Sequence, residues 1–306
     1  MNKAYCFLFG IVFVCCGQKQ AEETEFLSNE CRKWPAFATK AGFPAGPNSA
    51  FSTSEKKKMG LLLIGISNDT GGRKMYQHPS WTTGGWLAPI QLDNYVNLFT
   101  APAPVVNVLK NAPDSQNVIY KVDGATGEMR LFTSLGEPAK TENQNPYGIM
   151  SLCYLCESDL LYVATVAGST RTKEAGGLYC IDAATGKVKD KLMGFDPFGT
   201  GICYIEGKRK IYFGKARTSE IFSVELTASG KFSGKPQLVV SLDGLGPRGD
   251  DKAKKIRFTT KGEMIVEGYE FNFNLIAPAE KQTTNYYFRY NANNEKWNAI
   301  DGKAIR

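Results

Sequence analysis

A chain of 306 residues with a formal charge of +7 holds either one large all-β domain or two of medium size. Hydrophobic residues make up 42%, enough for a continuous core, and 31 glycines beside 12% aromatics suit many short strands joined by tight turns. The positive charge is scattered, with small clusters at Lys56, Lys57 and Lys58 and at Lys252, Lys254 and Lys255. No basic helix or nucleic-acid motif accompanies it, so nucleic acid is not an expected partner.

The first element along the chain reads as an export signal. Lys3 supplies a short positive region and Tyr5 to Val14 an apolar run. That run is shorter than the roughly 20 residues a spanning helix needs, but it fits the core of a signal peptide. Cys15-Cys16-Gly17 ends it, and the chain turns polar at Gln18-Lys19-Gln20. A small residue followed by cysteine at this border resembles the lipobox of bacterial lipoproteins. The resemblance implies cleavage after Cys15 and lipid attachment to Cys16; an ordinary secretory signal cut nearby is the alternative. The expected organisation is a signal at 1–16, an acidic flexible tether at 17–30 and a single domain at 31–306. The expected location is the cell envelope, outside the cytoplasm, in the outer membrane or periplasm of a Gram-negative bacterium, with the membrane as a partner through the lipid.

Beyond the tether, one supersecondary unit recurs. Leu62 to Ser67 followed by Asn68-Asp69-Thr70-Gly71-Gly72 reads as a divergent first copy of a strand and turn. Val118 to Asp123 runs into Gly-Ala-Thr-Gly and then Glu128 to Phe132, and Gly177 to Asp182 runs into Ala-Ala-Thr-Gly and then Lys187-Val188-Lys189. Glu220 to Glu225 with its turn at Ala228-Ser229-Gly230, and Tyr286 to Asn291 running on to Lys296-Trp297, repeat the pattern. Each is a β-hairpin signature. A second hairpin precedes most copies: Leu87 to Thr100, Ile149 to Ala164, Gly201 to Phe213, and Lys255 to Val266. Four strands recurring at this spacing are the pattern of β-propeller blades. With strands labelled A to D from the centre outward, inner strands begin near Trp86, Ile149, Gly201 and Lys255, and an earlier unit spans Lys33 to Trp81. The fold class is therefore an all-β propeller of four-stranded antiparallel blades, with five blades expected. Six is the alternative, if the Pro- and Gly-rich stretch from Phe43 to Ser54 contains further strand.

That register separates two faces. The A–B and C–D turns are short and generic, whereas the B–C loops at 101–117, 167–176, 215–219 and 269–285 are long. Long loops on a rigid scaffold are where binding concentrates. The D–A connections share a polar residue, then proline, then an aromatic: His78-Pro79-Ser80-Trp81, Asn145-Pro146-Tyr147 and Asp196-Pro197-Phe198, with Gly246 to Asp251 as a charged variant. His78, Asn145, Asp196, Arg248, Asp250 and Asp251 are thus candidates for a polar ring at the channel mouth. Arg171, Arg217 and Glu270 lie on the same inferred face. Such a ring suits a small polar or anionic ligand, or a cation held through oxygens. The competing reading is architectural, with Asn and Asp capping turns and the aromatics packing between blades. His78 is the only histidine, so a His-dependent triad and a multi-His metal site are not supported. Five cysteines follow Cys16, an odd number that does not describe a complete disulfide framework. Cys153 and Cys156 have CxxC spacing without a second ligand pair, so small buried side chains are the favoured reading.

Repeat and loop pattern together resemble the superfamily of gluconolactonase-like and calcium-dependent phosphotriesterase-like propellers, over most of the chain from Leu61. The resemblance implies a divalent cation such as Ca²⁺ near Asn145 and Asp196, and in some members hydrolysis of lactones or phosphoesters. It has no counterpart here for the Glu of an early blade, since His78 stands there, and the six blades usual in that group exceed the five counted. Two functions follow as expectations: binding of a small polar or anionic ligand or an envelope partner on the D–A/B–C face, or metal-dependent hydrolysis of small lactones or esters.

Overall fold

The computed structural model describes residues 26–28 (backbone), 31–53, 58–66, 71–104, 115–136, 145–273 and 282–300. The expected signal peptide, Cys16 and the tether up to residue 25 lie outside the described residues. The fold is a five-bladed β-propeller, almost entirely β, with one short helix, α1 (Ala36–Lys40). No helix among the described residues is long and apolar enough to cross a membrane.

The first strand, β1 (Phe26–Ser28), precedes the blades. Blade one holds three described strands, β2 (Ser49–Ser52), β3 (Leu62–Ile66) and β4 (Arg73–Tyr76). Blade two is β5 (Leu87–Leu92), β6 (Leu98–Pro102), β7 (Val118–Val122) and β8 (Met129–Ser134). Blade three is β9 (Ile149–Leu155), β10 (Leu160–Thr165), β11 (Gly177–Asp182) and β12 (Val188–Met193). Blade four is β13 (Pro197–Ile205), β14 (Lys208–Lys215), β15 (Glu220–Leu226) and β16 (Phe232–Ser241). Blade five is β17 (Lys252–Phe258), β18 (Glu263–Tyr269), β19 (Thr283–Asn291) and β20 (Lys296–Ala299). Blades two to five follow the expected register closely. Blade one does not: the hairpin at 62–76, expected as its outer pair, forms its second and third strands, so the 3₁₀ turn at Pro79–Thr82, expected in a D–A connection, follows a third strand instead of a fourth. Pro79 lacks an N–H to donate to a strand ladder, and Trp81 turns inward, wholly buried.

Alternation along each strand sends one row of side chains to the preceding blade and the other row to the following one. Apolar clusters accordingly fill the junctions: Trp81, Leu63, Leu98 and Val122 between blades one and two, and Ile119, Leu152, Leu161 and Ile181 between two and three. Leu155, Tyr162, Ile202 and Ile211 fill that between three and four, and Cys203, Ile256, Val266 and Phe288 that between four and five.

A backbone latch reinforces three of these junctions. The turn glycines Gly127, Gly186 and Gly230 all have positive φ (80°, 75° and 77°), a conformation costly for residues with a Cβ. Each glycine carbonyl accepts a hydrogen bond from the preceding blade: Trp81 Nε1 donates to Gly127 at 2.7 Å, Thr133 Oγ1 to Gly186 at 3.0 Å, and the Tyr162 hydroxyl to Gly230. In the first two turns an aspartate closes the loop. Asp123 accepts from the Thr126 N–H at 2.8 Å, and Asp182 from the Thr185 N–H at 2.8 Å. The repeated Asp-x-x-Thr-Gly thus fixes a turn that the neighbouring blade then holds.

The N-terminal segment crosses the A–B/C–D face against chain order. β1 pairs antiparallel with the free inner edge of β13, placing Phe26 opposite Ile205 and Ser28 opposite Cys203. Cys31 is disulfide-bonded to Cys156, beside the A–B turn of blade three, with a Cα separation of 5.8 Å. Lys33 N–H then donates to the Asp93 carbonyl at 3.2 Å and Phe37 N–H to the Gly124 carbonyl at 3.2 Å, both in turns of blade two. Cys156 is therefore not a plain buried thiol, and the CxxC pair is not a redox couple with itself: Cys153 is left as a free thiol.

Candidate functional site

The D–A/B–C face begins with the residues that open the inner strands. Asn145, buried, accepts from the Tyr147 N–H at 2.9 Å and donates from Nδ2 to the Val166 carbonyl at 2.7 Å. It ties the entry of β9 to the exit of β10. Asp196, fully buried, plays the same part in blade four with charge. One oxygen accepts from Ser169 Oγ and from the Gly176 N–H at 3.2 Å, and the other accepts from Arg217 Nε at 2.7 Å. Asp251, also fully buried, accepts from Arg248 at 2.5 and 2.7 Å and from the Tyr286 hydroxyl at 2.7 Å. These hydrogen bonds hold the Arg248 guanidinium above its ordinary pKa, and burial pushes the Tyr286 hydroxyl up. A buried carboxylate is tolerated only when its lone pairs are filled in this way.

The polar residues before each inner strand therefore converge on protein donors rather than on the channel mouth. Aromatics occupy the mouth. Tyr147, Phe198, Tyr269 and Phe271 come from the inner ends of blades three, four and five, with Phe198 and Phe271 centroids 4.7 Å apart and Tyr147 and Phe271 5.0 Å apart. Burial raises the Tyr147 hydroxyl to about 12.

His78 is separated from the others. It caps the 3₁₀ turn, with Nδ1 accepting from the Ser80 N–H at 3.2 Å, while Ser80 Oγ accepts from the Met129 N–H at 2.8 Å beside the C–D turn of blade two. It thus lies on the A–B/C–D side. Asp250 and Glu270 are exposed on the loop face.

Arg217 does most to shape this face. Besides Asp196, it donates to the carbonyls of Thr170, Arg171 (2.7 Å) and Lys173 (3.0 Å), and its guanidinium lies over Phe273 at 4.9 Å. One side chain from the B–C loop of blade four thereby holds the B–C loop of blade three and touches that of blade five. By sequence Arg217 is a ligand-facing charge; Ser169, Thr284 and Tyr286 carry no local mark of their roles, which depend on spatial neighbours 27 to 36 residues away.

A divalent cation does not fit Asn145 and Asp196 in this arrangement. Their oxygens already accept from N–H and O–H donors, Arg217 brings positive charge to Asp196, and no group of three His, Cys, Asp or Glu among the described residues is placed to hold a metal. Elsewhere, a cleft of about 380 Å³ is lined by Phe43, Pro47, Asn48, Ile66 and Lys74 of blade one and the loop before it.

No family model and no curated protein matches the chain. Among solved structures, it is similar to a proposed 6-phosphogluconolactonase from Bacteroides fragilis NCTC 9343, with TM-score 0.44 and 12% identity, covering 85% of this chain and 82% of that one. It is similar to a second such protein from Bacteroides uniformis ATCC 8492, with TM-score 0.43 and 11% identity, covering 83% and 82%. The GH43B protein of the Bacteroides ovatus xyloglucan PUL gives TM-score 0.39 and 11% identity over 71% of this chain and 41% of that one. Likeness at this level says nothing of activity, and the fold stands on the sheets described above.

Proposed function

We propose that this propeller is a lipid-anchored protein of the cell envelope that binds a small anionic ligand on its D–A/B–C face without catalysing a reaction. The observation that carries the reading is the loop held by Arg217. Three backbone carbonyls of residues 170–173 are fixed by one guanidinium, while the side chains of Arg171 and Lys173 stand exposed at the tip. The loop's own carboxylate, Glu174, is drawn back toward Arg217 at 3.7 Å, which leaves the tip basic. A loop already ordered before binding gives up less conformational entropy when it takes a ligand, and paired cations select carboxylate or phosphate.

The location is supported by the signal-like N-terminus and by the Cys31–Cys156 disulfide, since such bonds persist in oxidising compartments. The test is calorimetric titration of the soluble domain, from residue 18, with glucuronate, inorganic phosphate and citrate. The expected result is saturable binding of at least one acid, weakened about tenfold or more in an Arg171→Ala/Lys173→Ala variant. Binding that the variant leaves untouched would move the site elsewhere.

A further inference from the structure

We infer that the A–B/C–D face of the propeller lies against the membrane, so that the loop face points away from it. The inference rests on the lipid anchor proposed above and adds an orientation to it. Its basis is the polarity of β1. β13 runs from the loop face toward its A–B turn, and β1 is antiparallel to it, with Phe26 opposite Ile205 at the A–B end. Entry into β1 is therefore at the A–B end.

Phe26 is ten residues on from Cys16, a span of at most about 35 Å for an extended chain. The path after β1 fixes this entry point. The disulfide to Cys156 and the backbone bonds of Lys33 and Phe37 fasten the segment successively to blades three and two. A tether of that length on a fastened strap brings the A–B face to the lipid surface. The opposite face stands about 25 Å further off, the length of a seven-residue strand.

A second observation falls on the same face. The A–B turn of blade two presents Tyr95 62% exposed, and it does so at a conformational cost: Val96, β-branched, has φ +66°. Asp93 holds that turn by accepting from the Tyr95 and Asn97 N–H groups at 2.8 and 2.7 Å. An exposed tyrosine on a rigid support suits the headgroup region, where its ring and hydroxyl meet apolar and wet surroundings together.

The experiment uses the full chain, exported and processed in a Gram-negative host and reconstituted into phosphatidylcholine vesicles carrying a headgroup-linked energy acceptor. A donor dye is installed by stop-codon suppression at Lys208, on the A–B turn of blade four, or at Glu270, on the loop face; both are exposed. The expected result is that vesicles float the protein, that Cys16→Ser abolishes flotation, and that transfer from Lys208 exceeds transfer from Glu270 about twofold or more. Protein that fails to float overturns the anchor and the orientation with it. Protein that floats with equal or reversed transfer overturns the orientation alone. A Cys31→Ser/Cys156→Ser variant, its fold checked by circular dichroism, is expected to float and to lose the difference; a difference that persists would remove the fastened strap as its cause.

Discussion

At the loop-rich mouth of the channel, Tyr147, Phe198 and Phe271 are delivered by three consecutive blades, each from the start of an inner strand or the loop beside it. At the opposite mouth a single segment, from Phe26 to Phe37, does the corresponding work by running across blades four, three and two. The first closure is assembled from a repeated unit and the second from one long-range chain path. Repetition makes the first robust and leaves its loops available to carry function. The second hangs on one disulfide, a few backbone bonds and the packing of Phe37 into the junction of blades one and two, so the stretch before Phe37 is the place where the molecule can be unfastened without dismantling its blades.

Breaking each closure separately sharpens that contrast. Phe198→Ala empties a fully packed position in the aromatic cluster and is expected to cost about 3–5 kcal/mol; a denaturant midpoint moved by less than a third of that would show that the cluster is loosely packed. Asp196→Ala leaves Arg217 without its buried partner and is expected to cost about 3–5 kcal/mol. Protease cleavage should then appear first at 167–176. Removing the disulfide opens a closure of 125 residues and is expected to cost about 2–5 kcal/mol, with early cleavage confined to 26–38 if the blades stay intact. Cleavage spread through the blades would mean that the strap holds the ring together.

Smaller effects probe the turns. Thr133→Val deletes one inter-blade latch, worth about 1 kcal/mol by thermal melting. Acid has the least effect of all. Asp123 and Asp182 are held below the usual carboxylate pKa, chiefly by hydrogen bonds from Thr126 and Thr185. Their contribution is therefore present above the unfolded value near 3.8 and is lost as pH falls through the lower folded one. Asp123 is exposed and Asp182 half-buried at the surface, so the loss below about pH 4 should be small and shrink further with added salt.

The blades were legible because their information is local. Asp-x-x-Thr-Gly between alternating strands states both the turn and its register in blades two and three, and four strand–turn–strand units at this spacing leave little freedom in the architecture. What escaped notice depends on distant partners. Nothing near Cys31 or Cys156 marks a bond across 125 residues, and a three-residue strand such as β1 is too short to announce its pairing. His78 was misplaced for a related reason. Its His-Pro-Ser-Trp copies the spelling of Asn-Pro-Tyr and Asp-Pro-Phe, but it follows a third strand rather than a fourth and so arrives on the other face. For Asn145, Asp196 and Asp251 the position at the head of an inner strand was readable, whereas the donors that fill their oxygens were not.

The most direct test of the binding face is hydrogen exchange across the soluble domain, with and without the acid that calorimetry selects. Added protection is expected at 167–176 and none at the opposite turns, 123–127 and 182–186. Protection that appeared on those turns, or equally on both faces, would contradict it.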